Sequence, residues 1–257
     1  MSFARLALLT VAVCSLCAGS AEAEPTEIVV RVMSKDAKFV GTAVGGAQIV
    51  VRDAESGEIL AQGLTAGGTG STPKIMTTPH TGRDALSDAD AAKFSATLDL
   101  QRPRKVTVSA TGPMNPKQAA MTVSSTQWVV PGKPVNGGDG WVLELRGFAV
   151  SLIDEVPADI KLGGATRKIP LKAKVTMMCG CPTEPGGLWD ANKIQVAAIV
   201  ERDGKSAAAV PLAYAGQVNT FAGQIEIDQA GEYVVDVYAY DPANGNTGVE
   251  RIKLRAQ

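Results

Sequence analysis

Hydrophobic and polar residues alternate with period two along most of this chain. In PLKAKVTMM, Leu171, Ala173, Val175 and Met177 share one face, and Lys172 and Lys174 separate them. KIQVAAIVER puts Ile194, Val196, Ala198 and Val200 on a face, and EYVVDVYAYD does the same with Tyr233, Val235, Val237 and Ala239. Alternation of this kind predicts half-buried antiparallel strands. In the first half it predicts strands near residues 27–33, 47–53, 59–64, 94–100, 105–110, 121–130 and 140–145. Turn-forming clusters separate the strands, among them Asp53-Ala54-Glu55-Ser56-Gly57 and Arg202-Asp203-Gly204-Lys205. Only the stretch at 84–93, DALSDADAAK, has helical character. The expected architecture is all-β: two antiparallel β-sandwich domains in tandem, with one short helix in the first.

The amino terminus breaks this pattern. Arg5 precedes an uncharged, mostly apolar stretch at 6–18, and Ala21-Glu22-Ala23 has the small-x-small form of a cleavage site. This predicts a secretory signal peptide over residues 1–23, cut after Ala23, and a periplasmic or secreted mature chain. The expected domains are then 24–147 and 148–257, meeting at Gly147. The apolar stretch is too short to span a bilayer, and no later run approaches the necessary length, so the mature chain has no expected transmembrane segment. With 25 Lys and Arg against 26 Asp and Glu, the net charge is −1, which gives no footprint for nucleic acid or anionic lipid.

Two stretches carry family resemblances. GAQIVVRDAESGEILAQGLT, followed by FSATLDL, resembles the transthyretin-like, carboxypeptidase-regulatory-like modules of exported bacterial proteins. GEYVVDVYAYDPANGNTGVERIKL resembles the closing hairpin of bacterial immunoglobulin-like domains. The resemblances imply sandwich folds with adhesive or accessory roles, and neither implies an active site. The insertion at 66–93 departs from the compact transthyretin-like pattern.

Candidate chemistry centres on MMCGCPTEPGGLWD. Cleavage after Ala23 would remove Cys14 and Cys17, leaving Cys179 and Cys181 in a compartment where disulfides persist. Three readings fit this pair: a short-ring disulfide or plain loop packing, a redox couple, and a soft-metal site. In the last, Cys179 and Cys181 ligate Cu(I) with a thioether from Met177 or Met178. His80, the single histidine, and Met76 four residues before it would complete the set if the insertion reaches the junction. His80 on its own fits a solvated loop residue, and Met177 a core position at a strand end. In an immunoglobulin-like second half, with strand A over 150–162, the cysteine loop joins strands B and C. It then lies at the same end as the F–G loop, 241–246, and as the entry from the first half.

Other constellations are weaker. Asp84, Asp88 and Asp90 lack calcium-loop spacing. No G-x-S-x-G, G-x-G-x-x-G or P-loop occurs. Trp128 and Trp141 flank a turn and are expected to form a cross-strand or core pair. The function expected is a non-enzymatic periplasmic binding protein: a copper carrier, or an accessory to an exported redox system. The rival is a structural or adhesive envelope module whose loop is a disulfide-pinned interdomain plug, and either reading expects a protein partner in the periplasm or envelope.

Overall fold

Why the alternating segments become strands is visible in their burial. On the strand Gly231–Tyr240, Tyr233, Val235, Val237 and Ala239 are buried and the residues between them are not. On Arg104–Gly112, Val106, Val108 and Ala110 behave likewise. A computed structural model describes residues 22–206 and 208–257. The expected signal peptide therefore lies, except for Glu22 and Ala23, outside the described residues.

Before Gly147 the strands are β1 (Glu24–Ser34), β2 (Gln48–Asp53), β3 (Ile59–Leu64), β4 (Phe94–Leu100), β5 (Arg104–Gly112), β6 (Met121–Val129) and β7 (Trp141–Leu145). They form a three-stranded sheet, β4-β1-β7, and a four-stranded sheet, β3-β2-β5-β6. The β1–β7 pair is parallel, and the other pairs are antiparallel. Ile28, Val30, Ile49, Val51, Val108 and Leu143 fill the space between the sheets.

After Gly147 come β8 (Phe148–Leu152), β9 (Asp159–Ile160), β10 (Arg167–Met177), β11 (Gln195–Arg202), β12 (Lys205–Ser206) and β13 (Val210–Pro211). They are followed by β14 (Ala213–Tyr214), β15 (Thr220–Ile227), β16 (Gly231–Tyr240) and β17 (Thr247–Ala256). One sheet runs β14-β15-β10-β8; the other runs β12-β11-β16-β17-β9, with β13 added on β11. This is the strand order of an immunoglobulin-like sandwich. Among the described residues, no sheet mixes strands from the two sides of Gly147.

Three sequence expectations are corrected. Residues 84–93 form turns and isolated bridges, not a helix. The Leu86 and Ser87 amides donate to the Asp139 carboxylate (2.9 and 2.8 Å), and Asp88 accepts from the Ser71 amide (2.8 Å), so side chains far away in sequence take the hydrogen bonds of a helix. The helical element of the insertion is instead a five-residue π-type turn, Pro73–Thr77, which rests Ile75 on Phe39, Ala91 and Ala92. Strand A, expected as one piece, is split: β8 pairs with β10 in one sheet and β9 with β17 in the other. Pro157 and the charged pair Asp154-Glu155 lie in the gap between them, where pairing is not needed. Finally, Trp128 and Trp141 lie in different sheets. Trp141 is buried and donates from Nε1 to Ser125 Oγ (2.6 Å), whereas Trp128 is 59% exposed.

Candidate functional site

The cysteine turn begins where β10 runs out. Met177 continues the buried face of Leu171 and Val175, and Met178 is buried as well. The chain then doubles back: Gly180 N donates to Met177 O (2.8 Å), and Met177 N donates to Cys181 O (3.1 Å). This brings the Cα atoms of Cys179 and Cys181 to 5.4 Å, and a disulfide joins the two residues. That separation lies within the ordinary range for such a bond. Gly180 stands at the apex with φ +78°, a conformation favourable to glycine. A Cβ there would sit 2.6 Å from Val44 Cγ1, so the apex of the turn abuts the first half of the chain.

The rest of the loop is built to hold Trp189 against the same neighbour. Thr183, fully buried, donates from Oγ1 to Val175 O (2.8 Å) and from its amide to Asn219 Oδ1 (2.7 Å). Asp190 accepts from the Gly186 and Asn192 amides (2.9 and 3.0 Å), and these two bonds hold its carboxyl below the usual range. Trp189 then donates from Nε1 to Asp36 O (2.9 Å), a residue of the β1 turn. Asn244 of the F–G loop donates to Asp36 Oδ2 (2.9 Å). The B–C and F–G loops thus share one end of the sandwich and grip one residue of the first half.

The connection between the halves threads the same seam. Gly147 has φ +108°, and a Cβ there would collide with Thr247 O, so only glycine suits this close passage beside β17. Its amide donates to Oδ1 of the buried Asn246 (3.1 Å). One contiguous apolar cluster crosses the seam, joining Val44 and Leu145 to Phe148, Met178 and Cys179. Hydrophobic contact, and not a linker alone, therefore joins the two bodies.

A cavity of about 390 Å³ opens beside the disulfide, lined by Lys38, Thr69 and Thr72 of the first half and by Cys181, Leu188 and Trp189 of the second. Lys38 Nζ donates to Thr72 Oγ1 (2.9 Å) at its wall. A larger cavity, about 510 Å³, lies at the opposite end of the second sandwich between Arg202, Gln224 and Tyr233.

The candidate ligands are distributed unevenly. Met177, Met178, Cys179 and Cys181 come together because they are contiguous. The insertion does reach the cavity, but through Thr69 and Thr72. Met76 packs on the Phe39–Ile75 cluster, and His80 is exposed with Nδ1 3.2 Å from Thr78 O. With their sulfurs joined to each other, the cysteines present no thiolate for a soft metal in this state. Among the described residues no three His, Cys, Asp or Glu side chains converge as a metal-ligand group. Asp36 and Val44 were not visible as site residues in the sequence. Asp36 adopts φ +55°, and its only local signal is the turn composition of Lys35-Asp36-Ala37-Lys38.

No protein-family model matches this chain. No curated protein matches it either. Among solved structures it is similar to the fibronectin(III)-like modules of Clostridium thermocellum CbhA, at 12% identity over 91% of this chain and 94% of that one, with a TM-score of 0.27. A three-Ig structure of titin domains aligns at 10% identity over 92% and 66% of the two chains, TM-score 0.24. A chain from the complex of Dpr11 and DIP-gamma immunoglobulin domains aligns at 12% identity over 91% and 99%, TM-score 0.24. At such scores these likenesses carry no functional argument, and the sandwich assignment rests on the strand order of the chain itself. No helix among the described residues is long and apolar enough to cross a membrane.

Proposed function

We propose that this chain is a non-enzymatic, exported interaction module of the bacterial envelope, in which two β-sandwiches are held in one fixed arrangement to present a composite surface to a protein partner. The reading places a transthyretin-like sandwich before Gly147 and an immunoglobulin-like one after it. The observation that carries it is the oxidised Cys179-Gly180-Cys181 turn, with both cysteines buried and its apex against Val44. A disulfide in that position stiffens the loop that touches the other body, which suits a plug better than a carrier that must take up and release an ion.

The test is to express the chain with its own leader, purify it from the periplasm, count free thiols and measure bound metals. The module reading expects cleavage after Ala23, no free thiol on the mature chain and no stoichiometric copper. About one copper per chain, lost in Cys179→Ser, would overturn it in favour of soft-metal carriage. Retention of residues 1–23 in the cytoplasm would overturn the exported location.

A further inference from the structure

β6 forms one edge of its sheet and pairs with β5 alone among the described strands, in unbroken register from Arg104↔Val129 to Gly112↔Met121. Its sequence, MTVSSTQWV, holds no charge and no proline. Soluble proteins protect such edges with charge, proline, bulges or shortness. This chain does so elsewhere. β9, β12, β13 and β14 are two residues each, β4 carries Asp99, and the pairing of β3 with β2 shifts register at Val51/Arg52. β6 has none of these devices. Most of its side chains are exposed, Met121 at 58% and Trp128 at 59%, while Val123 and the buried Val129 seat its inner face on the core. β7 lies beneath it and not beside it, through the Trp141–Ser125 hydrogen bond. On the outer face, Thr107–Thr126 and Thr111–Thr122 hydroxyl pairs, each 2.8 Å, hold the strand flat on β5.

We infer that β6 is a dimer interface, in which two copies of this chain pair β6 to β6, antiparallel, about a two-fold axis through Ser125. A two-fold normal to the sheet keeps each side chain on its own face, so odd residues meet odd and even meet even. Centring on Ser125 uses the whole strand. Ser124 then faces the partner's Thr126, Thr122 faces the partner's Trp128, and Met121 faces the partner's Val129. Every pair is uncharged, so the strand meets no like-charge penalty against itself, and Thr against Trp is a favourable cross-strand combination. The isologous pairing closes after two copies and so consumes the exposed edge instead of propagating it. This self-complementarity singles out a second copy as the occupant.

Sedimentation equilibrium on the purified protein tests the inference, with a dimer expected at concentrations of about 10 µM. Ser124→Lys/Thr126→Lys sets lysines opposite one another and is expected to weaken association about 100-fold or more. Ser124→Glu/Thr126→Glu should do the same, and an equimolar mixture of the two double variants should dimerise again through Lys–Glu pairs. A wild-type chain still monomeric at about 100 µM overturns the inference. So does a lysine variant that dimerises undiminished, or a mixture of folded variants that stays monomeric. If either double variant fails to fold, Trp128→Ala replaces it. A loss of about tenfold in association supports the interface, and no loss overturns it.

Discussion

Gly180 concentrates two constraints in one residue: a left-handed backbone and a neighbour where its Cβ would be. The substitution Gly180→Ala must meet both. It is expected to cost about 1–3 kcal/mol of stability, read as a lower urea midpoint. Part of that loss is steric and belongs to Val44 Cγ1, 2.6 Å from the added carbon. Val44→Ala in the same chain should therefore recover some of it, giving a coupling energy where two distant sites would simply add. Strict additivity would mean that the turn does not bear on the first half. The sequence made half of this legible. Gly180 between two cysteines allows a reversal there, and a disulfide, one of the three readings open for the pair, would need one. Val44 gave no signal, because it lies in a short 3₁₀ turn, Thr42–Val44, with no periodic neighbours, and contacts across more than a hundred residues leave no local trace.

At the scale of elements, alternation worked where a strand has one buried face and failed where hydrogen bonds come from far away. β10, β11 and β16 were readable because Leu171, Val196 and Val235 recur at period two. Segment 84–93 was not, because its organising residue is Asp139, 52 residues beyond Ser87. Burial pushes the Asp139 carboxyl up, but the Ser87 hydroxyl, the Leu86 and Ser87 amides and nearby Arg31 together bring it below the ordinary 3.8. A lowered carboxylate contributes stability that is fully present above the ordinary value and is lost as pH falls through the folded one. Asp139→Asn should thus destabilise the protein at pH 7, by about 1–2 kcal/mol for the loss of a charged acceptor. The gap from wild type should close as pH falls below 3.8. Hydrogen exchange at Leu86 and Ser87 localises the effect. Unchanged protection there in Asp139→Asn would mean that another contact holds the segment.

The whole molecule depends on a seam whose place followed from topology. Once the second half is immunoglobulin-like, the B–C loop, the F–G loop and the first strand's entry share an end, so the cysteine turn had to face the preceding body. What topology did not supply was the polar stitching. On the far side of the seam, Glu250 of β17 accepts from the Leu152 amide of β8 and from Gln118 Nε2 of the first half (3.4 Å). Burial pushes the Glu250 carboxyl above its ordinary 4.5, and the Leu152 amide offsets this only in part. Between 4.5 and the raised value the folded chain holds more protons than the unfolded one, so stability from this group declines as pH rises through that window. Glu250→Gln keeps an acceptor for Leu152 without a charge to bury. The variant should be more stable than wild type at pH 7, and its advantage should shrink towards zero below pH 4.5. The trend is opposite in sign to that of Asp139, so urea titrations of the two single variants at pH 7 and at acid pH separate contributions that the wild-type curve sums. A less stable Glu250→Gln at pH 7 would show that the ionised carboxylate secures β8 and the Gln118 turn strongly enough to outweigh its burial.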